Sequence, residues 1–252
     1  MWQRCSTRRL ARDSRPNETQ RQAALDQEPD TVRHDMRKLY LPVYGIAIAL
    51  CLFVTAGLRY PGGTTDSSTT VGYSVLHNFV SSLFAPRALN GAPNPARYFA
   101  VAAMVFLCVS LGFAFKQIST TVSSRPYGKT IEIAGIGSMV YSLLVVTPMH
   151  DLMVTIGLGF SFVALVATTQ WLALEHNWRL AAWGAVCIAI TAVSALMYYG
   201  HIWFGILPIA QKVGIVASSA WVLAVYFARL GRSPAPSLAI GRSVARRRRE
   251  TE

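Results

Sequence analysis

The sequence predicts an all-α fold, a polytopic transmembrane bundle of six helices, and three observations carry that expectation. Of its 252 residues, 52% are hydrophobic and only 14% charged, with a mean hydropathy of +0.35; a water-soluble domain of this size needs a far more charged surface. The charge avoids the middle of the chain: nine of the 24 basic residues precede Leu39 and seven lie from Arg229 onward. Between those ends lie six apolar runs, each near the roughly 20 residues a bilayer requires.

The organisation follows from these shifts in composition. Residues 1–38, rich in Arg, Gln, Asp and Glu, read as a disordered cytoplasmic tail with no secretory signal, because no apolar core follows Arg8-Arg9 closely. Residues 39–230 form the six-helix domain, and residues 231–252, ending in "ARRRRE", read as a basic disordered tail at the lipid surface. The runs are Leu39–Leu58, Tyr98–Phe115 (stopped by Lys116), Ile131–Thr147, Leu152–Leu174, Leu180–Tyr199 and Trp203–Ala228. Pro208, Gln211 and Lys212 interrupt the sixth. Lys129 and Glu132, three apart before the third, read as a local ion pair. "TPMHDL" reads as the turn between the third and fourth runs, with Asp151 favouring the positive end of the fourth helix.

Placing both termini inside puts 20 basic residues on that side and only Arg59, Arg87, Arg97 and Lys212 outside, so cytoplasmic termini and the plasma (inner) membrane are expected. Tyr40, Tyr60, Tyr98, Trp171, Trp178, Trp183 and Trp203 sit near run ends, where interfacial belts form. Ala134 with Ser138, and Gly157 with Ser161, are four apart and allow close helix contacts. A net charge of +12 without a basic stripe of interleaved aromatics argues against nucleic acid. Cys5, Cys51, Cys108 and Cys187 lack CxxC spacing, so neither a disulfide framework nor a structural zinc is expected.

The first outer loop is long. After "YPGGTTDSSTT" comes "SVLHNFVSSLF", which at helical period puts Ser74, His77, Asn78, Ser81 and Ser82 on one face and Val75, Leu76, Phe79, Val80, Leu83 and Phe84 on the other. A short amphipathic helix is therefore expected in this loop, either lying in the interface or covering the bundle mouth. Asn90-Gly91 and Asn94-Pro95 are turn formers with a structural role. The topology then gathers polar residues on one side: His77, Asn78, Ser81, His150, Asp151, His201 and Lys212 form a candidate outer cluster. A charge inside a bilayer costs on the order of 2.5–3.5 kcal/mol, so Lys212 calls for a partner or a cavity, and Asp151 is one candidate across helices six and four. Snorkelling of Lys212 and simple helix-end placement of Asp151 are the competing structural readings.

"YPGG", "GYSVLHNFVSSLF", "NGAPNPARYFA", "TPMHDLMVTIGLGFSF" and "AQKVGIVASSAWVLAVYFARL" together resemble the six-helix membrane proteins grouped as domain of unknown function 998. That family is similar to the Frag1/DRAM/Sfk1 group, and the resemblance covers about residues 39–230. It implies an Asn–Ser element after helix one, matched by Asn78 and Ser81, and a polar element with His at helix four, matched by His150 and Asp151. Members often carry arginine where this chain has Lys212. They commonly have an acid and a glycine after the first-loop serine, where this chain has Ser82-Leu83; that departure counts against acid-dependent chemistry there. The resemblance implies no established reaction.

Three functional readings follow. The first is binding of a lipid or small amphiphile in an outward-facing, polar-mouthed cavity, which needs no catalytic constellation. The second is an intramembrane hydrolase or transferase, with Ser81 or a metal-bound water as nucleophile and His77, His150, His201 and Asp151 as bases or ligands; no HxxxH or HExxH spacing supports the metal. The third is a small transporter, which Lys212 and Pro208 favour and the lack of an internal repeat disfavours. Membrane lipids and a lipid-like ligand are the expected partners, a homo-oligomer is left open, and no cofactor, metal or nucleic acid is expected.

Overall fold

A computed structural model describes residues 18–230, with side chains from residue 39. The described residues divide after Tyr40 into two units, and the packing described below is that of the second. Among the described residues there are six α-helices and no strand: α1 Glu18–Arg59, α2 Ala96–Thr120, α3 Arg125–Leu144, α4 His150–Leu174, α5 Trp178–Gly200 and α6 Leu207–Leu230. Five segments are long and apolar enough to cross a membrane: Leu39–Arg59, Ala96–Thr120, His150–Leu174, Trp178–Gly200 and Leu207–Leu230. The chain is an integral membrane protein on that ground.

The helix ends follow local chemistry. Pro95 precedes α2, and Pro126 stands in the first turn of α3, where the missing N–H of proline is no loss. That proline starts α3 at Arg125, earlier than the apolar run predicts. Its first two turns then carry Arg125, Lys129 and Glu132, and it falls outside the five membrane-length helices. Pro148 turns the preceding residues out of the helix. The last turn tightens through Val146 N–H to Leu143 O and Thr147 N–H to Leu144 O. The first helix begins at Glu18, inside the segment expected as a tail, and residues 18–38 are rich in the helix formers Gln, Arg, Ala and Glu. The expected tails at 1–17 and 231–252 lie outside the described residues.

Consecutive helices from α2 to α6 pack in chain order, and α6 packs back on α2, so five helices close a ring. α1 stands outside it, approaching α2 where Gly45 faces Ser110 and Phe106. Small residues set the close approaches. Ala134 and Ser138 are buried on α3, and Gly157 lies against Tyr141. Gly184 leaves room for the fully buried Trp221, whose indole N–H donates to the Leu180 carbonyl at 2.8 Å. Cys108 and Cys187 are buried, and Cys51 is exposed.

We call the end that carries the α1–α2 connection the loop end. At the far end, Glu132 pairs with Lys116 of α2 at 2.5 Å and accepts from Ser119, rather than pairing with Lys129. On one helical face Lys129 competes with a neighbouring helix that presents its ammonium directly. Trp171 is buried and donates to Glu175 at 2.9 Å, with the Arg229 guanidinium 4.2 Å from its ring centre, so it is a core residue and not part of an interfacial belt. Tyr60 is likewise buried, its hydroxyl accepting the Leu89 N–H. Tyr98, Trp178 and Trp203 are exposed near helix ends.

The Gly184 contact makes a prediction. Replacing Gly184 with valine drives a side chain into Thr169 of α4 and Trp221 of α6 and lowers stability by about 1–3 kcal/mol. Gly159→Val, in open space on α4, is the reference. Thermal unfolding in detergent should give a lower midpoint for the first variant only, and equal midpoints refute the tight α5–α6 approach.

Candidate functional site

The α1–α2 connection is a folded cap, built from turns. Gly62 and Gly63 have φ of 138° and 88°, and a side chain at Gly63 would meet Asn90 N at 2.4 Å. The Gly63 N–H reaches Thr70 O at 2.8 Å, and Asn90 N–H reaches Gly62 O at 3.2 Å, so "YPGG" is where two arms of the cap cross. Asn94 ties the other arm: its amide donates to the Leu83 and Ala85 carbonyls at 3.2 and 2.9 Å, and its oxygen accepts Ala96 N–H. Asn90 closes its own turn onto Ala92 N–H.

The expected amphipathic helix is absent: residues 75–78 form a turn and Val80–Leu83 one short 3-10 turn. The reason is Asn78. Its side chain accepts Ser74 N–H at 2.9 Å and donates to Gly63 O at 2.8 Å, offering the backbone an alternative to the helical ladder. Its own carbonyl, which a helix would give to residue 82, instead accepts Lys212 Nζ at 2.5 Å and the Tyr73 hydroxyl at 3.2 Å. Asn78 is fully buried, while Val75 and Leu76 are exposed, so the two predicted faces do not survive.

Lys212 therefore takes carbonyl oxygens and not Asp151. Besides Asn78 it donates to Pro208 O at 3.0 Å, one turn back on α6, and its ammonium lies 5.7 Å from the Tyr73 ring centre. Tyr73 stacks edge-on against Tyr60 at 5.7 Å. Burial, and then the neighbouring Tyr60, push the Tyr73 hydroxyl well above its ordinary pKa, so it remains a donor at neutral pH. Next to Lys212, Gln211 accepts the Val80 N–H at 3.1 Å. Two adjacent residues of α6 thus hold Asn78 and Val80 of the cap, on either side of Phe79.

A second polar group lies where α4 and α5 meet the loop end. His150 Nδ1 and Asp151 Oδ1 are 3.0 Å apart, and the Tyr198 hydroxyl donates to the same oxygen at 3.0 Å. Tyr199 donates to Thr155 Oγ1 at 2.8 Å, one turn below Asp151, which continues the polar stripe. Asp151 sits in the first turn of α4 without capping it; its side chain is 86% exposed. His77 is exposed and paired with Ser74 Oγ at 3.0 Å. His201 is exposed, closes α5 in the left-handed conformation and faces the Phe204 ring.

The predicted cluster therefore divides. Ser81 and His150 line one cavity of about 270 Å³, together with Gln211, Tyr198 and the apolar side chains of Phe79, Val154, Phe204 and Leu207. Asn78 and Lys212 belong to the cap's attachment, and His77 and His201 stand away from both. Leu158, Ser194 and Gln211 also line a second cavity of about 270 Å³ at the centre of the ring, where Ser138, Ser142, Ser161, Thr191, Ser218 and Ser219 punctuate apolar walls from all five helices. Tyr73, Tyr198 and Ser194 carry no local sequence signal of a site; the helix-core serines are legible only once the ring places them together. Among the described residues no three His, Cys, Asp or Glu side chains gather to hold a metal ion.

No family model, curated protein or solved structure matches the chain.

The cap's dependence on Asn78 is testable. Asn78→Ala leaves the Gly63 carbonyl and the Ser74 N–H unpaired in a buried setting, at about 1–3 kcal/mol for each group. A lower unfolding midpoint and faster proteolysis within residues 61–94 are expected, while Asn90→Ala, in an exposed turn, should change little. Unchanged protease resistance in Asn78→Ala would show that the cap is held otherwise.

Proposed function

We propose that this integral membrane protein binds a lipid or small amphiphile in the loop-end cavity. The observation that carries the reading is the lining of that cavity: Ser81, His150, Tyr198 and Gln211 share it with apolar side chains, and Leu158, Ser194 and Gln211 line the central cavity as well. A few convergent polar groups over a largely apolar recess are what an amphiphile requires, hydrogen bonds at the head and apolar contact along the tail. The loop end is placed outside the cell and the termini in the cytoplasm, on the distribution of basic residues. Membership of the domain of unknown function 998 family belongs to the same proposal, carried by the quoted segments alone.

The test is photocrosslinking with a single-chain amphiphile bearing a diazirine in its tail, on protein in lipid nanodiscs. Crosslinks are expected on Leu158, Ser194 and Phe204, and Leu158→Trp, which narrows the passage between the cavities, should abolish them. His150→Ala should weaken binding about threefold to tenfold, the effect of one lost hydrogen bond. Crosslinks confined to the outer faces of the helices would remove the reading.

A second reading, acyl transfer from a bound ester to Ser81, is favoured by one observation. The Ser81 hydroxyl makes no hydrogen bond among the described residues, and it lines the same cavity as a histidine whose Nδ1 is held by a carboxylate. In that reaction Ser81 Oγ bonds the acyl carbon as the ester C–O bond breaks. The serine proton passes to His150 Nε2 and on to the departing alcohol. A fluorophosphonate probe should label Ser81 and lose its target in Ser81→Ala and His150→Ala; an unlabelled native protein rules the reaction out and leaves binding standing.

A further inference from the structure

A third cavity lies on the opposite side of the cap from Ser81 and His150. It is a groove of about 570 Å³ bounded by Leu50, Val54 and Leu58 of α1, floored by Met104 and Leu107 of α2, and closed on its other side by Val216 and Lys212 of α6. Because α1 stands outside the ring of five, the groove opens between α1 and α6 toward the lipid. From Leu50 to Leu58 the α1 wall is about 12 Å long. Leu50, Val54 and Leu58 are exposed, while Phe53 and Gly57, which also line the α1 wall, are partly buried. Tyr73 and Val80 of the cap roof the end where Lys212 sits.

The charge at that end is unbalanced. An ammonium has three donors; two go to the Asn78 and Pro208 carbonyls. None of the ion pairs among the described residues involves Lys212. A half-buried cation facing an apolar groove lacks the counter-charge that intramembrane ionisable residues ordinarily have. Its neighbours do not supply one: carbonyl oxygens and a tyrosine ring stabilise a cation but do not neutralise it.

We infer that the groove between α1 and α6 holds an acyl chain of an anionic membrane lipid, whose phosphate or carboxylate is bound by Lys212. The occupant is fixed by charge complementarity and by access: the groove faces lipid, the wall takes a hydrocarbon chain, and the one charged group at its roof is positive. This site is separate from the loop-end cavity. Gln211 lines that cavity and Lys212 lines this groove, and Phe79 and Val80 part in the same way. Deeper in, Met104, Leu107 and Ile215 line both this groove and the central cavity, so the two readings part at the loop end, where the charge preference is read separately from the crosslinks.

The experiment is native mass spectrometry of protein exchanged into mixed vesicles of phosphatidylglycerol and phosphatidylcholine with identical acyl chains. The native chain should retain phosphatidylglycerol in preference to phosphatidylcholine by about tenfold, the effect of one charge-assisted bond. Lys212→Gln should abolish the preference, Lys212→Arg should keep it, and Val216→Trp, which fills the groove without touching the charge, should lower retention of both lipids. Ile133→Trp, on the lipid face of α3, controls for an added indole. Equal retention of the two lipids by the native chain overturns the inference, as does an undiminished preference in Lys212→Gln. If Lys212→Gln unfolds, an unaltered preference in Val216→Trp overturns it instead when total retention is also unchanged.

Discussion

The bond from Lys212 to the Asn78 carbonyl is the constraint on which the loop end depends. It joins positions 134 residues apart and does two things at once. It gives an ammonium inside an apolar helix the oxygen ligands that water would have supplied. It also removes from the cap the carbonyl that would have continued a helix, leaving Asn78 to organise turns through its side chain. Neither partner accounts for the geometry alone. Without the lysine, the carbonyl keeps only the Tyr73 hydroxyl; without the cap, the lysine has no ligand but its own helix.

The partition of space follows from that attachment. Gln211 and Lys212 hold the segment around Val80 against α6, and that segment separates two recesses of opposite character. One carries hydroxyl, imidazole and amide groups and adjoins the interior of the ring. The other is cationic at one end and otherwise hydrocarbon. A chain that had simply looped between α1 and α2 would have merged them into one open mouth. The cap is thus a wall as well as a cover.

The helices were legible because their apolar runs are long and their boundaries are marked by charge and proline. The start of α3 was not, since Pro126 starts a helix before the charges that delimit the run. Lys212 stood out as a lysine in an apolar run, but its partner is a main-chain carbonyl, and carbonyls leave no trace in sequence. Asp151, the charged residue a reader would pair with it, is satisfied locally by His150 and Tyr198. The period of "SVLHNFVSSLF" pointed to a helix because period counts side chains and ignores what an asparagine does to its own backbone. Tyr60 and Trp171 resemble belt aromatics only in position; each has its polar atom bonded inside the protein. Ser81 and His150 were legible as residue types, and their shared cavity was visible only in three dimensions.

The shortness of α3 bears on the loop end. It runs between the same two ends as α2 and α4 with 20 residues against their 25, and its uncharged part, Ile133 to Leu144, rises only about 18 Å. A typical hydrocarbon core is about 30 Å thick. The Lys116–Glu132 pair marks the far end of both helices, and on α2 the uncharged stretch Tyr98 to Phe115 above it rises about 27 Å. The shortfall of α3 therefore lies toward the loop end, where turns after Leu144 complete this flank and their main-chain groups need partners that a helix supplies to itself.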